Sequence, residues 1–215
     1  MSCQILFIDF NIDCFKLNFF VFCLMMEIIE ALKSGKVIVH GTDTCVGLAV
    51  DVFNEAAVAK VYEMKQMSFD KPVSILCSDL EMAEQYGVFS EKALELAKKY
   101  LPGALTLIVP RTDKLPEWIN SGLDSVGIRI PADESSLQMV RELGNPITTT
   151  SCNVSGEKVC ESVDEVIGMF GNYMESGDVV LAFEERSSQK VSTVVKVDGD
   201  KVRVLRQGEV EIAEA

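Results

Sequence analysis

"MEIIEALKSGKVIVHGTDTCVGLAVDV" (residues 26–52) passes from a helical period to an extended one within a single stretch of chain. Ile28, Ile29 and Leu32 fall on one helical face, and Gly35 is a residue that ends such helices. "VIVH" (37–40) then reads as a buried strand, "GTDTC" (41–45) breaks it, and "VGLAVDV" (46–52) is extended again. A helix feeding a buried strand is the beginning of an α/β fold.

The alternation continues downstream. Asn54 is placed to cap a helix over "EAAVAKVYEMK" (55–65), whose Ala57, Val58, Val61 and Met64 recur at helical spacing. "PVSIL" (72–76) is a strand, and "SEKALELAKKY" (90–100) is a helix capped by Ser90 and ended by Pro102-Gly103. "LTLIVP" (105–110), "SVGIRIP" (125–131) and "PITTT" (146–150) are strands, with a helix over "ESSLQMVRELG" (134–144) between the last two. A helix near "SVDEVIGMFG" (162–171), a strand "DVVLAF" (178–183) and the strands "VSTVVKV" and "KVRVLR" complete the chain. The turn Asp198-Gly199-Asp200 marks those last two as a hairpin. Crossovers combined with a hairpin require a mixed sheet, so the expectation is one α/β domain over residues 26–212.

Composition narrows the function. The chain has 215 residues, 48% hydrophobic and 25% charged, with a net charge of −13. That charge repels nucleic acid and anionic membranes, so strong RNA binding and a membrane partner are both disfavoured. The seven cysteines form no CxxC pair and only one histidine is present, which points to reduced thiols in a cytoplasmic protein without a metal site. Residues 1–25 are rich in Phe and Cys but interrupted by Asp9, Asp13 and Lys16, which suits neither a membrane span nor a signal peptide. They are expected to form an N-terminal extension outside the fold, with Met25 and Met26 as alternative starts.

Polar residues collect at strand ends, above all in "TTTSCNVSG" (148–156). Its Asn153-Val154-Ser155 matches a glycosylation acceptor, but sugar attachment needs a secreted chain, leaving a polar turn or an anion cradle. Neither a Walker loop nor GxGxxG occurs. His40, the single histidine, sits in an apolar strand, where a core or strand-end role is the simpler reading than a catalytic base.

Seven stretches in order, "GTDTCVGL", "VYEMKQMSFDKPV", "LPGALTLIVP", "VGIRIP", "TTSCNVSG", "VSTVV" and "VLRQG", resemble the motifs of the YrdC-type threonylcarbamoyl-AMP synthase family. Those motifs read PTDTVYGL, KxR followed by KP, PGPLT, RxP, SxN within TSANxSG, STV and LRPG. The resemblance runs from about residue 27 to 210. It implies a YrdC-like single domain, a twisted mixed sheet with a large concave groove in which ATP and threonine lie side by side. It implies synthesis of threonylcarbamoyl-AMP and pyrophosphate from L-threonine, bicarbonate and ATP, for tRNA threonylcarbamoyladenosine modification. Hand-over to a tRNA threonylcarbamoyl transferase follows from that role.

The residues carried over are these. Thr42, Arg129, Ser151 and Ser192 match positions near threonine, with the Arg129 guanidinium suited to its carboxylate. Lys65, Thr106, Asn153 and Arg206 match positions near ATP, and Lys65, Ser151 and Asn153 are the catalytic set. Mg²⁺ is expected to be bridged by the phosphates. Taken singly, Lys65 could merely complement a helix dipole, and Arg129 and Arg206 could be surface ion pairs.

The chain departs from the pattern at Gly41, Val46, Leu76, Cys152 and Gln207, and most consequentially at Met67, where the family has the arginine of KxR. Losing one charge-assisted bond to phosphate costs about 1.5–3 kcal/mol, so a weakened synthase is expected, with Lys71 as a substitute cation. Two other readings stay open: a YciO-like paralogue that binds nucleotide or RNA without making the adenylate, and a carbamoyl-transfer module of the hydrogenase-maturation type.

Overall fold

The computed structural model describes residues 14–120, 122–183 and 191–212, with side chains from Cys23 onward. Residues 1–13 of the expected extension lie outside the described residues. Six helices and nine strands are described: α1 Cys14–Lys33, β1 Val37–His40, β2 Gly47–Ala49, α2 Glu55–Met64, β3 Ser74–Leu76, α3 Leu80–Tyr86, α4 Glu91–Tyr100, β4 Leu105–Pro110, β5 Ser125–Arg129, α5 Glu134–Leu143, β6 Ile147–Ser151, α6 Val163–Glu175, β7 Val179–Ala182, β8 Thr193–Asp198 and β9 Lys201–Arg206. No described helix is long and apolar enough to cross a membrane.

The strands form one sheet in the order β7-β1-β2-β6-β3-β5-β4-β8-β9. Three pairings are parallel (β1 with β7, β3 with β5, β4 with β8) and the others antiparallel, giving the mixed sheet expected. β1 shows why "VIVH" carries no alternation. Val37 and Val39 enter the core shared with α2, α4 and α6, while Ile38 enters a second core under α1 and α5. A strand covered on both faces reads as a continuous apolar run.

Local signals placed most elements. Asn54 Oδ1 accepts from Ala57 N–H at 3.0 Å and Ser90 Oγ from Ala93 N–H at 3.2 Å, the caps read in the sequence. Gly35 and Gly144 close α1 and α5 at φ 81° and 77°. Two boundaries and one helix differ. Helix α1 begins at Cys14 and runs through Met25 and Met26, with buried Met25 packing alongside Ile28 and Ile29. The run after β1 is regular strand over Gly47–Ala49 and continues as a single bridge of Asp51 to Ile147, after which the Asp51 carboxylate accepts from Phe53 N–H at 2.9 Å as the chain turns. The seven-residue α3, capped by Asp79, has too few apolar positions for its period to stand out in the sequence.

The end of α2 is built on an unusual residue. Gln66 N–H bonds to Glu63 O and Met67 N–H to Tyr62 O, the two bonds of a Schellman cap, with Gln66 at φ 47°. A non-glycine there carries about 1–2 kcal/mol of strain, partly offset by the flexibility glycine has in the unfolded chain. Gln66→Gly is therefore expected to stabilise the protein by about 0.5–1 kcal/mol, read as a higher urea midpoint at unchanged slope.

Candidate active site

β6 organises the site. It pairs with β2 through Gly47 and Leu48 and with β3 through Ser74, Ile75 and Leu76, then runs into the loop from Cys152. Cys152 N–H bonds to Val46 O at 2.9 Å, so this loop lies beside the turn 41–45.

Lys65, at the end of α2, reaches into the loop. Its Nζ donates to Ser151 O at 2.5 Å, Asn153 O at 2.9 Å and Asn153 Oδ1 at 2.9 Å. Ser151 Oγ donates to the same Oδ1 at 2.6 Å, Asn153 Nδ2 to Glu157 O at 2.7 Å, and Ser155 N–H to Lys65 O at 2.8 Å. The lysine is 3% exposed, and burial pushes its pKa down to about 8. All three N–H bonds end on neutral oxygens, so the charge has no carboxylate against it.

Arg129, at the end of β5, forms a second group. Nη2 donates to Asp43 Oδ1 at 2.6 Å, Nη1 to Thr44 Oγ1 at 2.7 Å and Nε to Gly103 O at 3.3 Å. Thr42 closes the turn beneath: its Oγ1 accepts from Thr44 N–H and Cys45 N–H and donates to Cys45 O at 2.8 Å. Asp43 is the ion-pair partner of Arg129, and Thr44, which accepts from its Nη1, was not singled out in the sequence. The hydroxyl-rich run "GTDT" was the available signal, but nothing local names an arginine 86 residues away as its partner.

The third group joins β4, β8 and β9. Thr106 Oγ1 and Ser192 Oγ lie 3.0 Å apart, and Arg206 donates through Nη2 to Ser192 O (2.9 Å) and Oγ (3.1 Å). Gly208 is indispensable to this corner, since a Cβ there would meet Val191 O at 2.3 Å.

Electrostatics link the three groups. Burial raises the pKa of the Cys45 thiol, while Arg129, Arg206 and Lys65 all act on it in the opposite sense; Arg129 also feels Arg206. Three cations therefore converge around one turn in a protein of net charge −13. A family model described as Telomere recombination, covering Sua5, YciO and YrdC, matches residues 30–208. The chain belongs to the Sua5/YciO/YrdC family. Within that family it is 36% identical over 191 residues to a putative threonylcarbamoyl-AMP synthase of Methanocaldococcus jannaschii, covering 86% of this chain and 88% of the relative. It is 33% identical over 183 residues to the threonylcarbamoyl-AMP synthase of Bacillus subtilis, covering 82% of this chain but 51% of that protein. The crystal structure of P. abyssi Sua5 complexed with L-threonine superposes with a TM-score of 0.78 at 29% identity, over 86% of this chain and 54% of that one. E. coli YciO superposes at 0.77 with 23% identity, over 86% of this chain and 89% of that one, a likeness of fold.

Met67 packs against the main core. It lines an apolar groove of about 720 Å³ on the outer face of α2, with Ala56, Ala59, Tyr62 and Phe69. Lys71 Nζ donates to Ser155 Oγ at 3.2 Å, which puts a second ammonium over the same loop. His40 is buried at the end of β1, with Nδ1 3.2 Å from Ser136 Oγ, a strand-end histidine as read. Among the described residues no three His, Cys, Asp or Glu side chains gather to hold a metal.

Proposed function

We infer that this chain is an L-threonylcarbamoyladenylate synthase, a nucleotidyltransferase that joins L-threonine, bicarbonate and ATP into threonylcarbamoyl-AMP with release of pyrophosphate. The observation that carries this reading is the buried Lys65 ammonium held only by neutral oxygens. A desolvated cation without a counter-anion is a place for one. We assign that anion as the phosphates of ATP, the substrate that a threonylcarbamoyl-AMP synthase activity implies.

In this reading the three groups form one groove. Threonine and bicarbonate lose water to give N-carboxythreonine, whose carbamate oxygen attacks the α-phosphorus as pyrophosphate departs, and the protein aligns two anions and spreads the leaving charge. Lys65, aided by Lys71, faces the phosphates; exchanging one loop oxygen for a phosphate oxygen frees a donor without moving the stem. Thr106, Asn153 and Arg206 hold the nucleotide. Arg129 spends three of its five N–H groups on Asp43, Thr44 and Gly103, leaving two for the threonine carboxylate. Thr42, Ser151 and Ser192 surround the amino acid. Mg²⁺ brought in with the nucleotide would neutralise phosphate charge beside Lys65; among the described residues no three His, Cys, Asp or Glu side chains gather to hold an ion by themselves. The product passes to a tRNA threonylcarbamoyl transferase in the cytoplasm.

The test is pyrophosphate release by the purified chain with ATP, bicarbonate and threonine, together and with each omitted. Release only with all three supports the synthase. ATP binding without release under any condition replaces it by the YciO-like paralogue.

A pH dependence follows from Lys65. With a pKa of about 8 in the free protein, its charge is lost between neutral and mildly alkaline pH. Binding of an unhydrolysable ATP analogue is expected to weaken roughly tenfold between pH 7 and 9, measured by calorimetry; a flat profile would remove Lys65 from the phosphate site. The stability effect has the opposite direction. Between about 8 and 10.5 the unfolded lysine holds a proton that the folded one lacks, so this residue's contribution to stability grows as pH rises through that window.

A further inference from the structure

The loop that grips Lys65 is closed at its base by two thiols for which the adenylation chemistry has no use. Cys160 N–H donates to Cys152 O at 2.8 Å, which sets the residues side by side. One such backbone bond keeps two residues within about the 4.4–6.8 Å between Cα atoms that disulfides span. The two side chains are buried, at 0% and 2% exposed. Cys160 Sγ lies 3.8 Å from Met169 Sδ, and that same sulfur accepts from Val154 N–H at 3.2 Å. Interaction between the two neighbouring thiols lowers the pKa of Cys160 and raises that of Cys152, so Cys160 ionises first. The loop tip at Gly156, Glu157 and Lys158 is exposed, and local opening from that end admits a small reagent.

We propose that Cys152 and Cys160 are a reversible dithiol–disulfide site, oxidised by low-molecular-weight disulfides, whose cross-link remodels the loop holding Lys65. The Cys160 thiolate attacks one sulfur of R–S–S–R and expels RS⁻, which takes up a proton. The Cys152 thiol then gives up its proton and attacks the Cys160 sulfur of the mixed disulfide, expelling the second R–S group as a thiol. One protein disulfide forms while one small disulfide is reduced to two small thiols. Tying Cys160 Sγ to Cys152 alters its contact with Met169 Sδ, the sulfur that holds Val154. Asn153 and Ser155, on either side of Val154, are the residues bonded to Lys65. The effect on turnover rests on the synthase reading; formation of the cross-link does not.

The experiment treats the full chain with a small symmetrical disulfide and digests it with trypsin, which separates the two cysteines by cutting after Lys158. The expected result is a disulfide-linked pair of peptides, 142–158 with 159–186. Amide exchange at 153–155 should quicken and turnover fall, each roughly tenfold, and all of this should reverse with dithiothreitol. Cys160→Ala should keep the reduced protein's turnover and lose the response. Mixed disulfides alone, unreacted thiols, or a cross-link with unchanged exchange at 153–155 would overturn the proposal. A reduced protein that releases no pyrophosphate would sink the synthase reading only, because peptide and exchange data still decide the thiol site.

Discussion

Lys65→Met is expected to lower pyrophosphate release by roughly two to three orders of magnitude while leaving the chain folded. The ammonium sits where water is largely excluded, so its charge acts on a phosphate at low effective dielectric, far more strongly than a surface lysine would. Methionine matches the length of the lysine stem and removes only the charge and its three donors. Ser151 O, Asn153 O and Asn153 Oδ1 then lose a partner, which destabilises, while the cost of burying a charge disappears, which stabilises. These terms oppose each other, so the urea midpoint should change little beside the loss of turnover. Lys65→Arg should not restore activity, because a planar guanidinium does not fit a cradle of three oxygens arranged around a compact ammonium. A Lys65→Met protein releasing pyrophosphate within threefold of the parent would exclude the residue from the chemistry.

The second large effect is on stability. Arg129→Ala is expected to destabilise the protein by about 3–5 kcal/mol, since it leaves the Asp43 carboxylate partly buried without its counter-charge. Folded domains carry about 5–15 kcal/mol in all, so the variant should unfold well below the parent in urea. The arginine also ties the turn 41–45 to Gly103, so three connections loosen together. The control is a double-mutant cycle with Asp43→Asn. If the ion pair is the cause, the second substitution costs much less in the Arg129→Ala background than in the parent. A loss below about 1 kcal/mol for Arg129→Ala would show that the pair is solvated and contributes little.

Most elements were legible because their causes are local. Asn54 and Ser90 cap helices within three residues of themselves, Gly35 and Gly144 end helices through their own backbone angles, and Gly199 turns the last hairpin at φ 59°. The order of the seven motifs was likewise readable without coordinates. What stayed hidden were features whose signal is weak over a short span. The seven-residue α3 has few apolar positions, and the start of α1 at Cys14 lies within a run whose apolar residues show no single face.

Sequence by itself determined the elements, the mixed α/β class and the set of polar residues standing at strand ends, because propensity, capping and hydrophobic period act over a few residues. Only the tertiary structure decided which of those residues meet. Lys65 finds its oxygens 86 and 88 residues away, and Arg129 finds Asp43 across 86. It also decided that Met67 faces a groove on α2 while Lys71 reaches Ser155. The reason is the pairing of β6 with β2 on one side and β3 on the other. Register between distant strands depends on how the whole core packs, and no short stretch of chain carries that information.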